Sequence, residues 1–464
     1  MHKALPAVIS LAVAVLLCGT ATPEGQSAKA FTPYSDARVV FDAVREELLP
    51  PELRGLSSEA REARWPDWIR TRDAAVRARV AEGDADSIVH LLLFGTSFTG
   101  APRASERDLA ALVARPVEAL AGLRRRIDDF AAAVVAPGAN ERLRFVRRVV
   151  ERQGIDPSTA TGRLALSRYL DERTRVVGGA VESARVLDPG VALADRLTLF
   201  RDRGLSTDTA VSVDFGIEQA LEAVKAAGLL RAGTVQRVAI VGPGLDFTDT
   251  LDGYDFYPEQ TIQPLALIDS LLRLELAEPE RLQVTALDIG ARVLEHLAAA
   301  RAQAAAGVSY TVVLPRNMER PWSADLVDYW QRLGNWIGEA ALRVPPAPPN
   351  AGRVEVRGVS IRPAVVRALT PVDLNVVTER LVTADTPFDL VIATNVLLYY
   401  DVFEQSLATA NIAAMLRPGG ILLTNNRIVE LPGSPLGAAG ATDVVYMTLP
   451  GIGETGDRIT WYRR

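Results

Sequence analysis

The sequence predicts an α/β protein: a doubly wound, mostly parallel sheet that ends in an antiparallel hairpin and follows an all-α region. Three observations carry this. From about Gln236, short apolar runs alternate with helical segments, the texture of parallel strands joined by crossovers. From about Ser35 to about Gly233, apolar residues instead recur every three or four positions among Arg and Glu, with almost no strand signal. At the end of the chain, two candidate strands, residues 443–449 and 458–463, flank Gly451-Ile452-Gly453.

Before the helices comes a segment of another kind. Lys3 precedes a charge-free, mostly apolar stretch, residues 4–18, and a polar run that ends in Ala28-Lys29-Ala30. A stretch this short does not span a bilayer, and the layout is that of a signal peptide over residues 1–30. Cleavage is expected after Ala30, with Gly19-Thr20-Ala21 as an earlier alternative. The expectation is therefore export, to a periplasm or beyond the cell. Cys18 offers a lipidation site, but Leu17 stands before it where a small residue is wanted. Loss of the segment removes the one Cys of the chain, so the mature protein needs no disulfide.

Residues 31–233 are expected to form an all-helical domain of about seven to nine helices. Residues 108–135 and 140–153 show the period best. Starts are marked by Ser57-Ser58 with Glu59 and Glu62, by Ser105 and by Pro157-Ser158, and ends by Gly83, Gly154 and Gly204. The span from Phe31 to Val235 holds 30 basic and 30 acidic residues, so its arginines read as solvated helix faces. Residues 91–99 join an apolar helix end to a hydroxyl-rich loop, either a buried turn or a place where Thr96 and Ser97 meet a ligand.

Residues 234–464 form the second domain. Residues 238–241 are a strand ending in Gly242-Pro243-Gly244, and residues 282–287 are a second, ending at Asp288 before a helix over 291–300. Residues 310–314 read as a third strand, 354–361 as another, and 388–394 as a fourth clear one. A helix over 401–416 leads through Arg417-Pro418-Gly419-Gly420 into a strand at 421–424. The Pro-rich residues 344–350 are a linker or insertion within this domain.

Composition narrows the function. A formal charge of −6 opposes nucleic-acid binding, which needs clustered cations. One Cys and three His leave no basis for zinc ribbons, Cys redox centres or multi-His metal sites. His90 and His296 lie on helical stretches and are expected to be structural.

Several motifs stand in one colinear array: VAIVGPGLDF at 238–247, LQVTALDI at 282–289, DLNVVTERL at 373–381, FDLVIATNVLLYYD at 388–401 and LRPGGILLTNN at 416–426. Together they resemble the class I S-adenosylmethionine-dependent methyltransferases, with a Rossmann-like sheet, and the latter part is most similar to the chemotaxis receptor methyltransferases. The helical half resembles no family. The resemblance implies S-adenosyl-L-methionine as cofactor, held by Gly242, Pro243 and Gly244, by Asp288 at the ribose with Ile289 beside it, by Asn375 and Val376 at the adenine edge, and by Thr394. It places Asn395 and Tyr399 at the acceptor as catalytic candidates.

The departures from that pattern are informative. Ile240 stands where the family has an acidic residue, and Asp246 where it has a third glycine. Asp246 and Asp249 either replace the missing carboxylate beside the ammonium of the methionine moiety or cap the next helix. Gly242 and Asp288 are 46 positions apart, and the excess over 246–260 is either a lid on the cofactor or an irregular loop packed on the helical half. The chain lacks the Asn/Asp-Pro-Pro-aromatic sequence of amino-group methylation. The expected acceptor is accordingly a carboxylate or hydroxyl, on a small molecule or a protein side chain. The alternative is an exported relative without catalysis, using the same cleft as a binding module.

Overall fold

The computed structural model describes residues 28–104, 116–186, 210–247, 252–382, 387–426, 428–430, 432–449, 451 and 453–464, and for 116–122 and 177–186 the backbone alone. The expected signal segment up to residue 27 with Cys18, the helix start at Ser105, the stop at Gly204, and Asp249 lie outside the described residues.

The chain enters on a short strand, β1 (Lys29–Phe31), and then forms α1 (Tyr34–Ala43), α2 (Ser58–Ala78), α3 (Val80–Phe94), α4 (Pro116–Val135), α5 (Glu141–Arg152), α6 (Ala160–Val186) and α7 (Val211–Ala226). Ser57 caps α2 by accepting from the Ala60 N–H, and Asn140 caps α5 in the same way from Leu143. Gly154 follows the end of α5 as expected. Gly83 does not end a helix: it is buried inside α3, where a residue without a side chain permits close packing. The apolar faces of α3 to α6 bury Ile88, Leu92, Phe130, Val146, Val150, Leu166 and Leu170 in one core. Helices α1 and α2 pack elsewhere. Tyr34, Phe41, Trp65 and Trp68 form an aromatic cluster that closes on Phe403 and Leu407 of the C-terminal half.

That half is built on β2 (Arg237–Val241), β3 (Gln283–Asp288), β4 (Tyr310–Asn317), β5 (Gly338–Ala340), β6 (Val354–Ile361), β7 (Leu369–Asp373), β8 (Glu379–Leu381), β9 (Phe388–Ile392), β10 (Leu416–Thr424), β11 (Gly437–Leu449) and β12 (Gly453–Arg463). Its further helices are α8 (Gln263–Arg273), α9 (Ala291–Ala305), α10 (Ala324–Arg332), the one-turn α11 (Pro363–Arg367) and α12 (Val402–Met415). The main sheet has the order β11-β12-β10-β9-β2-β3-β7. Its pairs are parallel from β7 to β10, and β12 runs antiparallel between β10 and β11, so the expected hairpin closes the sheet. Alternate residues of β2 feed opposite faces: Val238 and Ile240 pack with α7 and α8, Ala239 and Val241 with α12. Asp401 and Glu404 form a capping box that starts α12 where the sequence placed it.

One expectation fails. Residues 310–314 and 354–361 are strands, but β4, β6 and β5 form a separate antiparallel sheet inserted between α9 and α11. The strand that pairs with β3 is β7, a five-residue edge strand containing Pro371, which has no N–H to give a further neighbour. A short, proline-interrupted run carries little strand signal, whereas β4 and β6 carry a strong one.

Strand β1 pairs with β8, and Lys29 Nζ lies 3.1 Å from Glu379. The expected cleavage point after Ala30 thus falls within a paired strand. Among the described residues no helix is long and apolar enough to cross a membrane, and no three His, Cys, Asp or Glu side chains are grouped to hold a metal.

Candidate functional site

The carboxyl ends of β2, β3, β7 and β9 meet at one cleft, where an open α/β sheet binds ligands. Its walls include Gly242, Gly244, Asp288, Ile289, Asn375, Val376, Thr394, Asn395 and Tyr399, so nine of the sequence-derived residues come together. The cleft is partly open to solvent, with room for about 90 Å³ of ordered ligand or water at its base.

The turn after β2 uses both glycines for their backbone. Gly242 has φ +64° and Gly244 φ +65°, left-handed values that L side chains resist. A Cβ on Gly242 would lie 2.7 Å from Val396 Cγ2, so the turn also lets the segment after β9 lie directly over it. Pro243 sits between the two glycines and does not line the cavity.

Asp288 ends β3 and is buried. Burial pushes its carboxyl up to about 6, against the pull of the backbone N–H groups of Gly290, Ile289 and Gly244. The bond from Gly290 N to Oδ1 is 2.7 Å. The carboxylate therefore ties the ends of β2 and β3 together while facing the cleft. Opposite it, Asn375 follows β7 and holds its loop by accepting from Val377 N through Oδ1, while its Nδ2 donates to Asp73 of α2.

Asn395 is one of two non-glycine residues with positive φ among the described residues, at +57°. Asn425, just past β10, holds it there: its Oδ1 accepts from the Asn395 N–H at 2.8 Å and its Nδ2 donates to Asn395 Oδ1 at 2.6 Å. The same Nδ2 donates to Asp457 Oδ2, which also accepts from the Tyr446 hydroxyl. A carboxylate only accepts, so Asp457 fixes which way the Asn425 amide points, and Asn425 in turn fixes Asn395. The amide nitrogen of Asn395 then lies on its open side as a donor. Tyr399 is half-buried on the wall, and its carbonyl accepts from Arg79 Nη2 at 2.7 Å.

Asp246 departs from its expected place. It is buried away from the cleft, its Oδ2 accepts from Gln260 Nε2 at 2.8 Å, and Arg142 and Tyr257 lie beside it; burial pushes it up to about 6. The missing family carboxylate is not restored there, because Ile240 points into the core on the α8 side and Asp246 into the seam with the helical half. The described part of the 246–260 excess is the packed loop rather than a lid. Phe247 joins the core of the helical half, the buried Arg142 guanidinium donates to the carbonyls of Phe247, Tyr257 and Asp246, and Asp255 accepts from the N–H and hydroxyl groups of both Thr96 and Ser97. Thr96 and Ser97 thus hold Asp255, as residues of the turn after α3 that ties the helical half to the 246–260 segment. His296 bonds the Tyr310 hydroxyl and His90 packs at a tilt against Phe94, and neither lines the cleft.

Some wall residues escaped the sequence. Gln263 opens α8 beside Thr394, to whose hydroxyl its Nε2 donates at 3.0 Å, and no motif marks it. Val80 comes from the helical half, about 160 residues before the glycine turn, where only tertiary structure could have found it. Leu374, Val396 and Tyr400 complete the apolar wall.

No protein-family model and no curated protein sequence matches the chain. Among solved structures it is similar to the glycopeptide N-methyltransferase MtfA complexed with sinefungin, at 13% identity over 54% of this chain and 66% of that one, with a TM-score of 0.21. It is similar to the N-methyltransferase NodS of Bradyrhizobium japonicum in complex with S-adenosyl-L-homocysteine, at 12% identity over 58% and 97%, with a TM-score of 0.26. It is also similar to the rRNA methyltransferase AviRa of Streptomyces viridochromogenes, at 11% identity over 55% and 85%, with a TM-score of 0.25. Each of these likenesses spans little more than half of this chain.

Proposed function

We propose that the chain is an S-adenosylmethionine-dependent methyltransferase acting on an oxygen of a small molecule or a protein side chain. The observation that carries this is the pairing of the Gly242–Gly244 turn with Asp288 on the neighbouring strand end, between Ile289 on one side and Asn375 and Val376 on the other. Asp288 is suited to accept from a ribose diol, and Ile289, Leu374 and Val376 to flank a flat base. Gln263 takes over the role assigned to Asp246: its Oε1 is an acceptor for an ammonium group, while Nε2 is engaged by Thr394. When bound, the cofactor supplies a methyl group already activated on a sulfonium. The protein then has to align an acceptor and exclude water. The Asn395 amide nitrogen is a donor suited to a lone pair of the acceptor atom, and the lack of an Asn/Asp-Pro-Pro-aromatic sequence supports oxygen as that atom. A carboxylate acceptor needs no base. Tyr399 is the aromatic side chain beside it.

A second reading, an exported binding module without catalysis, is favoured by one observation, that neither Ile240 nor Asp246 brings a carboxylate to the cleft. Calorimetry on the full chain separates the two. S-adenosylmethionine binding in the micromolar range supports the enzyme, and no heat at millimolar ligand supports the module.

A further inference from the structure

We propose that the helical half completes the nucleoside end of the cleft, with Val80 as its ceiling and Asp73 positioning the Asn375 loop, so that the ligand is held between the two halves. This rests on the methyltransferase reading above.

The corner between α2 and α3 reaches the cleft here. Val80, the first residue of α3, lines the cavity opposite Ile289, Leu374 and Val376 and packs in their apolar cluster. Its neighbour Arg79 is anchored to the Tyr399 carbonyl across the cleft mouth. About two turns earlier, Asp73 Oδ1 accepts from Asn375 Nδ2 and from the Thr378 hydroxyl, both at 2.9 Å. Arg77 links Asp73 to the same loop: Nε donates to Asp73 at 2.9 Å, Nη1 to Asp373 and Nη2 to Glu379 at 2.8 Å. Glu379 in turn accepts from the Asn375 backbone N–H at 2.9 Å. Asp73 and Arg77 of α2 thus hold the 374–379 loop through Asn375, Thr378 and Glu379.

Two consequences follow for binding. A base lying on Ile289 and Val376 meets Val80 on its other face, so the helical half contributes contact and shields the base from water. The same corner, tied through Asp73 to Asn375 and Thr378, also fixes the wall that the base would meet. The helical half is therefore a cofactor-binding element, whatever its part in choosing the acceptor.

The test uses the full chain and S-adenosylhomocysteine as probe, with calorimetric affinity and the melting temperature of the ligand-free protein read side by side. Val80→Trp is expected to fill the slot and lower affinity about 100-fold or more, and Val80→Ala, which only removes contact, about threefold to tenfold. Asp73→Ala is expected to lose about tenfold, and Asp73→Asn to recover part of it, because the asparagine Oδ1 still accepts from Asn375 and Thr378 while the bond from Arg77 Nε is lost. Ligand-free melting temperatures close to wild type separate these losses from unfolding, and Val80→Ala carries the test where Val80→Trp fails to fold. Wild-type binding with unchanged affinity in Val80→Ala and Asp73→Ala overturns the inference. A wild type that does not bind the probe overturns the methyltransferase reading instead.

Discussion

Asp288 makes the cleft sensitive to pH in a direction that can be worked out. Burial holds its carboxyl at about 6, against an ordinary value of 3.8, so in the ligand-free protein it is half protonated near pH 6. A diol that donates to this carboxylate binds the ionised form, and binding must expel the proton. At pH 5, one unit below the midpoint, roughly one molecule in eleven has Asp288 ionised, so affinity is expected to fall about tenfold relative to pH 7.5. That corresponds to about 1.4 kcal/mol. Calorimetry of S-adenosylhomocysteine in buffers of different ionisation enthalpy should show close to one proton released per ligand at pH 5 and almost none at pH 7.5. Asp288→Asn should bind more weakly at pH 7.5 and lose the dependence. The stability of the ligand-free protein carries the opposite mark. A carboxyl raised in the folded state contributes stability that is fully present below the unfolded value and is lost as pH rises through about 6. For Asp288 the loss is about 3 kcal/mol, read as a shift in urea midpoint that Asp288→Asn removes. Equal ligand affinity at pH 5 and pH 7.5 in the wild type would show that the carboxylate does not receive the diol.

Gly242→Ala is expected to cost about 1–2 kcal/mol of stability from its left-handed backbone and to abolish ligand binding by displacing Val396; urea unfolding and calorimetry check both, and wild-type behaviour in either refutes the account of the turn. Asp255→Ala strands the N–H and hydroxyl groups of Thr96 and Ser97 at the seam between the halves, and should lower the unfolding free energy by about 3 kcal/mol, with Thr96→Val costing less in the Asp255→Ala background than in the wild type. Additive effects of the two substitutions would sink that assignment. Cell fractionation with N-terminal sequencing should find the protein outside the cytoplasm, beginning near Phe31 or, with β1 left whole, near Thr22. An intact Met1 in the cytosolic fraction refutes export.

The sheet was legible because its central strands carry the strongest signals a sequence offers. β2, β3 and β9 are largely buried and read as mostly apolar runs followed by glycine, aspartate or a small polar residue. The edge was not legible, because β7 is short and holds Pro371, while β4 and β6 imitate main-sheet strands from an inserted sheet. The same contrast holds at the cleft. Gly242, Gly244 and Asp288 are dictated by local backbone geometry and by position at a strand end, which sequence records. Val80 and Gln263 reach the cleft through packing between distant segments, and nothing in their neighbours announces it. Asp246 misled because its place in the motif suggested the cleft, whereas its side chain is claimed by Gln260 and its carbonyl by Arg142, in the seam with the helical half.

The aromatic cluster of α1 and α2 sets the order in which this chain can fold. Tyr34, Phe41, Trp65 and Trp68 leave the ribosome early, yet the ring that closes their core, Phe403, follows more than 300 residues later, and β1 waits as long for β8. Contacts of such separation form late, because the intervening loop must be closed before they are rewarded. The first helices are therefore held back from a finished core until the last quarter of the chain has been made. A polypeptide arranged in this way stays open to threading for most of its synthesis, and the boundary near residue 234 divides two shapes but not two folding units.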